Sequence, residues 1–171
     1  MSSKNSDTGL NSFQYVTFYV NERLYGIDIK LVQEVSPGTR ISSVPLSKNH
    51  ISGLVNVRGD VILVLDLAVI FNNSKSEISE NSHVIILKTE QKILQLHDIS
   101  MNLKSSRFGN KPIGILVDNI GDVVRIDLKD IESPPSNVDK KNAIYYESVA
   151  KLKDDLLIIL NIDEIISIGV E

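Results

Sequence analysis

The chain has 171 residues, 42% hydrophobic and 23% charged, which suits one ordinary soluble globular domain or two small units sharing a core. Its net charge of −4 excludes the basic face that nucleic-acid binding needs. The absence of cysteine excludes disulfides, thiolate zinc sites and cysteine nucleophiles together.

In chain order, "MSSKNSDTGLNS" (1–12) is polar, lacks the apolar stretch of a signal peptide and is expected to be a disordered tail. "FQYVTFYV" (13–20), "NER" and "LYGIDI" (24–29) read as a β-hairpin. "HVIIL" (83–87), "PIGILVD" (112–118), "VVRIDL" (123–128), "IYYESVAKL" (144–152) and "LLIILNI" (156–162) are further strands. Pro37, Pro45, Pro134 and Pro135 fall in connections, where a missing amide proton is tolerated. Helix is expected only in short pieces, at 29–35, 67–71 and 162–168. The longest apolar run, Val61 to Phe71, is interrupted by Asp66 and falls far short of the ~20 residues that span a bilayer. No direct membrane insertion and a cytoplasmic location are therefore expected.

Two stretches echo two others. "GLVNVRGDVILVLDLAVI" (53–70) aligns without gaps on "SVAKLKDDLLIILNIDEI" (148–165), and "YGIDIKLVQEV" (25–35) aligns on "IGILVDNIGDV" (113–123). Two matches in the same order indicate one unit present twice. The expected fold is mainly β: two small barrels, closed because closure removes exposed sheet edges, with a few short helices. The first barrel would occupy 13–82 and the second 83–168 of a domain running 13–171. The segment 88–111 fits neither, because loops of that length are uncommon in compact domains. It is expected to be a mobile excursion outside both cores, in which "QKILQLHDISMNL" could form a short amphipathic helix.

The hairpin "ISGLVNVRGDVILVLDL" (51–67) is the most informative stretch. Gly59-Asp60 suits a two-residue turn, which pairs Arg58 with Val61, Val57 with Ile62, Asn56 with Leu63, Val55 with Val64 and Leu54 with Leu65. One face is then Val55, Val57, Ile62 and Val64, a β-branched core face. The other is Leu54, Asn56, Arg58, Val61, Leu63 and Leu65, aliphatic around one arginine and one amide. Such a face fits a protein–protein interface anchored by Arg58. Equally, Arg58 could be a hairpin-end charge whose stem lies on the sheet and whose head reaches water.

"YGIDIKLVQEV", "TRISSVP" and "ISGLVNVRGDVILVLDL" resemble the CheW-like domain of bacterial chemotaxis coupling proteins. "GILVDNIGDVVRI" and "LLIILNIDEII" match its second half in order and spacing, so the resemblance covers about Phe13 to Ser167. It implies two intertwined five-stranded SH3-like β-barrels and no catalytic activity, cofactor or metal. It also implies a bridging role between the cytoplasmic tip of methyl-accepting chemoreceptors and the regulatory domain of the histidine kinase CheA. The chain would be monomeric alone and associated in the cytoplasm with membrane-bound receptor arrays. Receptor tips would lie in an apolar groove between the barrels, and barrel ends would dock pseudo-symmetrically on the kinase domain. By the same resemblance, Val32, Glu34, Val35, Asn56, Val57, Arg58 and Gly59 occupy motif positions tied to partner binding, with Leu54 beside them. Glu34 is expected to face Arg58 and orient its guanidinium. Two departures stand out: the long 88–111 segment, and Glu147-Ser148 where the second hairpin commonly carries glycine.

Other classes fare worse. A CheW-like scaffold of another two-component pathway is the nearest alternative. Arg58-Gly59-Asp60 is also the tripeptide of integrin-binding adhesion proteins, but no signal peptide or cysteine accompanies it. His50, His83 and His97 are scattered singly, without metalloprotease spacing, nucleophile elbow or phosphate loop. Asp66 and Asp118, imaginable as paired carboxylates, end apolar strands and read as turn formers. An oligonucleotide-binding barrel would need stacking aromatics in a basic groove, and aromatics are 5% of the chain.

Overall fold

The computed structural model describes residues 11–95 and 111–170. The greater part of the expected tail and most of the 88–111 segment, with His97, lie outside the described residues.

Nearly continuous apolar runs, buried on both faces over Tyr15–Phe18 and Leu24–Ile27, build the first hairpin, β1 (Ser12–Val20) and β2 (Arg23–Asp28). Its two-residue turn holds Asn21 and Glu22 at φ 48° and 64°, the left-handed pair that matches the twist of the flanking strands. Asp118 secures the turn by accepting the Asn21 amide proton at 2.8 Å. A single 3-10 turn, Ile29–Leu31, follows, capped by the Asp28 carboxylate, which accepts from the Lys30 amide at 2.9 Å.

The helix expected over 29–35 stops at that turn, and Val32–Pro37 is instead a strand, β3. The spacing of Ile29, Val32 and Val35 mimics a helical stripe. Pairing with β6 (His83–Leu87) supplies a ladder that a seven-residue helix could not match.

β4 (Ile51–Val57) and β5 (Asp60–Asp66) run into α1 (Leu67–Asn72), where the helix expected at 67–71 is found. Asp66, buried at the junction, caps α1 by accepting from the amides of Ala68 and Val69, and it also binds the Ser76 amide and hydroxyl at 2.9 Å. Beyond β6 comes α2 (Glu90–Leu94), so the start of the 88–111 segment packs on the core rather than standing outside it, and the rest lies outside the described residues. Ile93 is buried in the largest apolar cluster, and the Lys88 amide donates to Leu31 O at 2.8 Å. The remaining strands are β7 (Ile113–Val117), β8 (Asn119–Asp127), β9 (Ile131–Glu132), β10 (Tyr146–Lys151) and β11 (Leu156–Leu160). The helix expected at 162–168 is α3 (Ile162–Val170).

The strands form two sheets, in the orders β3-β6-β7-β5-β4 and β8-β1-β2-β11-β10-β9. Exchange the halves of the sequence repeat, and one order becomes the other. The hairpin β1–β2 sits in the sheet of the second half, and β6–β7 sits in the sheet of the first. The division 13–82 and 83–168 follows the repeat, while the sheets trade their leading hairpins across it.

Each sheet curls closed by the same device. After pairing with β6, the chain from β3 continues to Ser42, which exchanges backbone hydrogen bonds with Leu54 of β4 at 2.8 and 2.9 Å. After pairing with β1, the chain from β8 continues to β9, which pairs with β10. The sixth strand of one sheet thus corresponds to a single bridge in the other.

Three apolar clusters follow from this topology. Val55, Ile62, Val64, Val84, Ile86 and Leu116 fill one barrel, and Tyr15, Leu24, Ile126, Ala150, Leu157 and Ile159 fill the other. The glycine shared by the echoed stretches has the same task in each. A Cβ on Gly26 would lie 3.0 Å from Leu157, and one on Gly114 would lie 2.5 Å from Val84. The largest cluster lies between the barrels and takes in both α1 and α3, with Phe71 stacked on Tyr25 at 5.1 Å and edge-on to Tyr146 at 5.9 Å. Truncating Phe71 to alanine would cost about 3–5 kcal/mol.

Candidate functional site

The β4–β5 turn corrects the predicted register. Val57 pairs with Asp60, Asn56 with Val61, Val55 with Ile62 and Leu54 with Leu63, so the turn residues are Arg58 and Gly59 rather than Gly59 and Asp60. Each partner shifts by two positions, which leaves every side chain on its predicted face. Arg58 has φ 54° and Gly59 φ 92°, and Asn56 Oδ1 accepts the Gly59 amide proton at 3.1 Å. The Asn-x-Arg-Gly spacing is therefore the chemistry of one turn: an amide acceptor, two left-handed residues, and an arginine carried at the tip.

That tip is tied to the opposite edge of its sheet. Arg58 Nε lies 3.4 Å from Glu34 Oε2 of β3, as expected, with the arginine side chain 82% exposed and the glutamate 25%. β3 and β4 are the two ends of the strand order, so the pair spans the seam where the sheet closes. An exposed pair contributes only ~0.2–1 kcal/mol to stability; its effect is to restrict where the guanidinium points.

The mixed face resolves into two ends. Leu65 is fully buried between the barrels and Leu63 packs against that layer, whereas Asn56 and Val61 are exposed near the turn. Val35, next to Glu34, is also exposed. Arginine, glutamate and two valines thus share one barrel end. Of the other predicted residues, Val57 packs on the barrel core and Val32 on the inter-barrel layer, so both support the site from behind. Leu54 is half-buried and holds the closing bridge to Ser42, and Gly59 is exposed in the turn. Val61, on the predicted face but not among the predicted binding residues, is exposed beside the same turn; its place two positions beyond Gly59 is the signal in the sequence.

The repeat puts a counterpart on the second barrel: Lys153 in place of Arg58, Asp122 of Glu34, Val123 of Val35 and Leu156 of Val61. Val123 and Leu156 are likewise exposed. The carboxylate of Glu147, at the start of β10, is pushed up from its ordinary pKa by partial enclosure, then by Asp28 and Asp163. Tyr15 nearby is pushed up to about 12 by burial, then by Asp28 and Glu147.

The remaining candidates have structural posts. Asp66 caps α1 and Asp118 secures the first turn, so the two carboxylates act separately. His83 Nδ1 meets Asn81 O at 2.7 Å.

Compared with known proteins, residues 14–169 match the CheW-like domain. The chain is 26% identical to the chemotaxis protein CheW of Treponema pallidum (strain Nichols) over 155 residues, which span 91% of this chain and 82% of the relative. It is 27% identical to that of Thermotoga maritima over 157 residues, 92% of this chain and 89% of the relative. The crystal structure of the scaffolding protein TtCheW from Thermoanaerobacter tengcongensis superposes with a TM-score of 0.69 at 29% identity, covering 94% of this chain and 90% of that one.

Proposed function

The chain belongs to the CheW-like domain family, and on that premise we propose that it couples the cytoplasmic tips of chemoreceptors to the regulatory domain of the histidine kinase CheA. It is a non-catalytic chemotaxis scaffold. Among the described residues no helix is long and apolar enough to cross a membrane. On this reading the chain works in the cytoplasm, at arrays of membrane-bound receptors, and is a monomer until it meets its partners.

The observation that carries the reading is the seam at the first barrel's end. An 82% exposed arginine is held by Glu34 at 3.4 Å among exposed valines. Arginine with a restricted fork amid apolar surface is the composition of an interface hot spot. Val35, Val61 and Arg58 make the contact, Glu34, Asn56 and Gly59 shape it, and Val32, Leu54 and Val57 hold the strands beneath.

Co-sedimentation with a receptor cytoplasmic fragment and with the kinase regulatory domain, each separately, tests the reading. The expected result is binding of both by the wild-type chain and loss of at least one by Arg58→Glu with an unchanged melt. A wild-type chain that sediments with neither overturns it.

A further inference from the structure

One extra residue in β3 decides where Glu34 points. Val32 pairs with Leu87 and Glu34 with Ile86, so Gln33 is the added residue of a β-bulge. Directly opposed residues share a face of the sheet. Leu87 belongs to the inter-barrel layer and Ile86 to the interior of the first barrel, so Val32 and Glu34 lie on opposite faces. In a regular strand, two positions apart, they would share one. Without the bulge Glu34 would turn to the inter-barrel side with Val32; with it, the carboxylate reaches Arg58 Nε at 3.4 Å.

The repeat has the same bulge at the same place and holds it differently. In β8, Gly121 and Asp122 stand opposite the single residue Thr17, and Gly121 is the counterpart of Gln33. The buried Thr17 hydroxyl donates to Asp122 O, and a Cβ on Gly121 would collide with that hydroxyl. Facing the first bulge is Ile86, which has no hydroxyl to give. Here the tie comes from outside the sheet: Lys92 Nζ of α2 donates to Gln33 Oε1 at 2.7 Å. α2 is a firm base for it, with Ile93 buried in the inter-barrel layer and the Lys88 amide, just ahead of the helix, bonded to Leu31 O.

We propose that Gln33 and Lys92 are positioning residues for partner binding: α2 grips the bulge, the bulge aims Glu34, and Glu34 holds the Arg58 guanidinium for the kinase regulatory domain. This rests on the coupling reading, which supplies that partner at the end of the first barrel. Both residues act through Glu34 rather than by touching the kinase domain.

The test uses the full chain and two measurements, the first of which needs no partner. In proton–nitrogen NMR spectra the Arg58 Nε–H signal, assigned by its loss in Arg58→Lys, reports the seam directly. Lys92→Met and Gln33→Met each remove one end of the tie at similar side-chain length. Both should move the signal toward its position in Glu34→Gln, and Lys92→Arg, which keeps a donor, should leave it near the wild-type position. The second measurement is affinity for the kinase regulatory domain. Lys92→Met should lower it about threefold and Lys92→Arg by less than about twofold, with unchanged melts. In an Arg58→Ala background Lys92→Met should have no further effect, because the two residues act along one path. An Arg58 signal that stays in place in Lys92→Met overturns the proposal and leaves the coupling reading standing. An equal loss of affinity with and without Arg58 also overturns it, and makes Lys92 a direct contact. A wild-type chain that fails to bind the kinase domain, while Lys92→Met moves the signal, overturns the coupling reading at this barrel end and leaves the clamp on Glu34 standing.

Discussion

The hairpins β4–β5 and β10–β11 are the same device built twice, and their differences separate what the fold requires from what a surface presents. Both carry a register shift near the start of the first strand, between Ile51 and Gly53 and between Tyr146 and Ser148. Both reverse over two residues and both end in a helix. The first turn holds Arg58 and Gly59 in the left-handed region, whereas Lys153 and Asp154 make the second reversal without it. A two-residue reversal at this place therefore does not need a left-handed arginine. The two turns differ in backbone and in what they display, an arginine tip in the first barrel and a lysine in the second.

The largest contrast is expected at the bulge. A Cβ on Gly53, at φ 153°, would collide with Ser42 O, the atom that closes the barrel, whereas the second barrel accommodates Ser148. Gly53→Ala should cost about 3 kcal/mol or more, and Ser148→Gly about 1 kcal/mol or less, by denaturant unfolding. Equal costs would mean the two closures are mechanically alike.

Next come the helix caps. Asp66 serves four donors from a buried position, while Asn161, its counterpart, accepts one long bond from the Glu164 amide at 3.4 Å. Asp66→Ala should lose about 2–3 kcal/mol and Asn161→Ala under about 1 kcal/mol.

At the turns the contrast moves from stability to binding. Arg58→Glu should lower partner affinity by about 2 kcal/mol, roughly thirty-fold, and Lys153→Glu by less than about threefold, with both melts unchanged. Unfolding of Arg58→Glu would make the arginine a structural charge; equal losses in binding would make the two barrel ends interchangeable.

The smallest effect concerns pH. Glu147 has a raised folded-state pKa, so the folded chain holds its proton more tightly than the unfolded one. Stability is then lost as pH rises above the ordinary carboxylate value of about 4, through the raised value. Glu147→Gln should melt above wild type near neutral pH, and the gap should close by about pH 4. A gap that persists in acid would assign the effect to packing.

The strands, the hairpins and the repeat were legible because side-chain alternation is a local property. The β-branched face of Val55, Ile62 and Val64 could be read without knowing what it packs against. The Glu34–Arg58 pair was legible only through the family resemblance, since its members come from opposite edges of a curled sheet. A helix at "QKIL" was legible in the sequence, but its packing was not, because one buried residue, Ile93, does not show which core it joins. The left-handed Leu46 left no trace either, because leucine is not a residue that marks such turns.

The sequence by itself determined which positions face a core, that the unit occurs twice, and the family. Each of these depends on periodicity or order along the chain, which composition and spacing record directly. Only the tertiary structure decided that the leading hairpins are exchanged between barrels, that Val32–Pro37 extends rather than coils, and that Arg58 and Gly59 form the turn. These depend on which distant backbone supplies the hydrogen-bond partners and where a carbonyl such as that of Ser42 leaves no room for a side chain. Contacts between residues far apart in the chain set those conditions, and no local pattern encodes them.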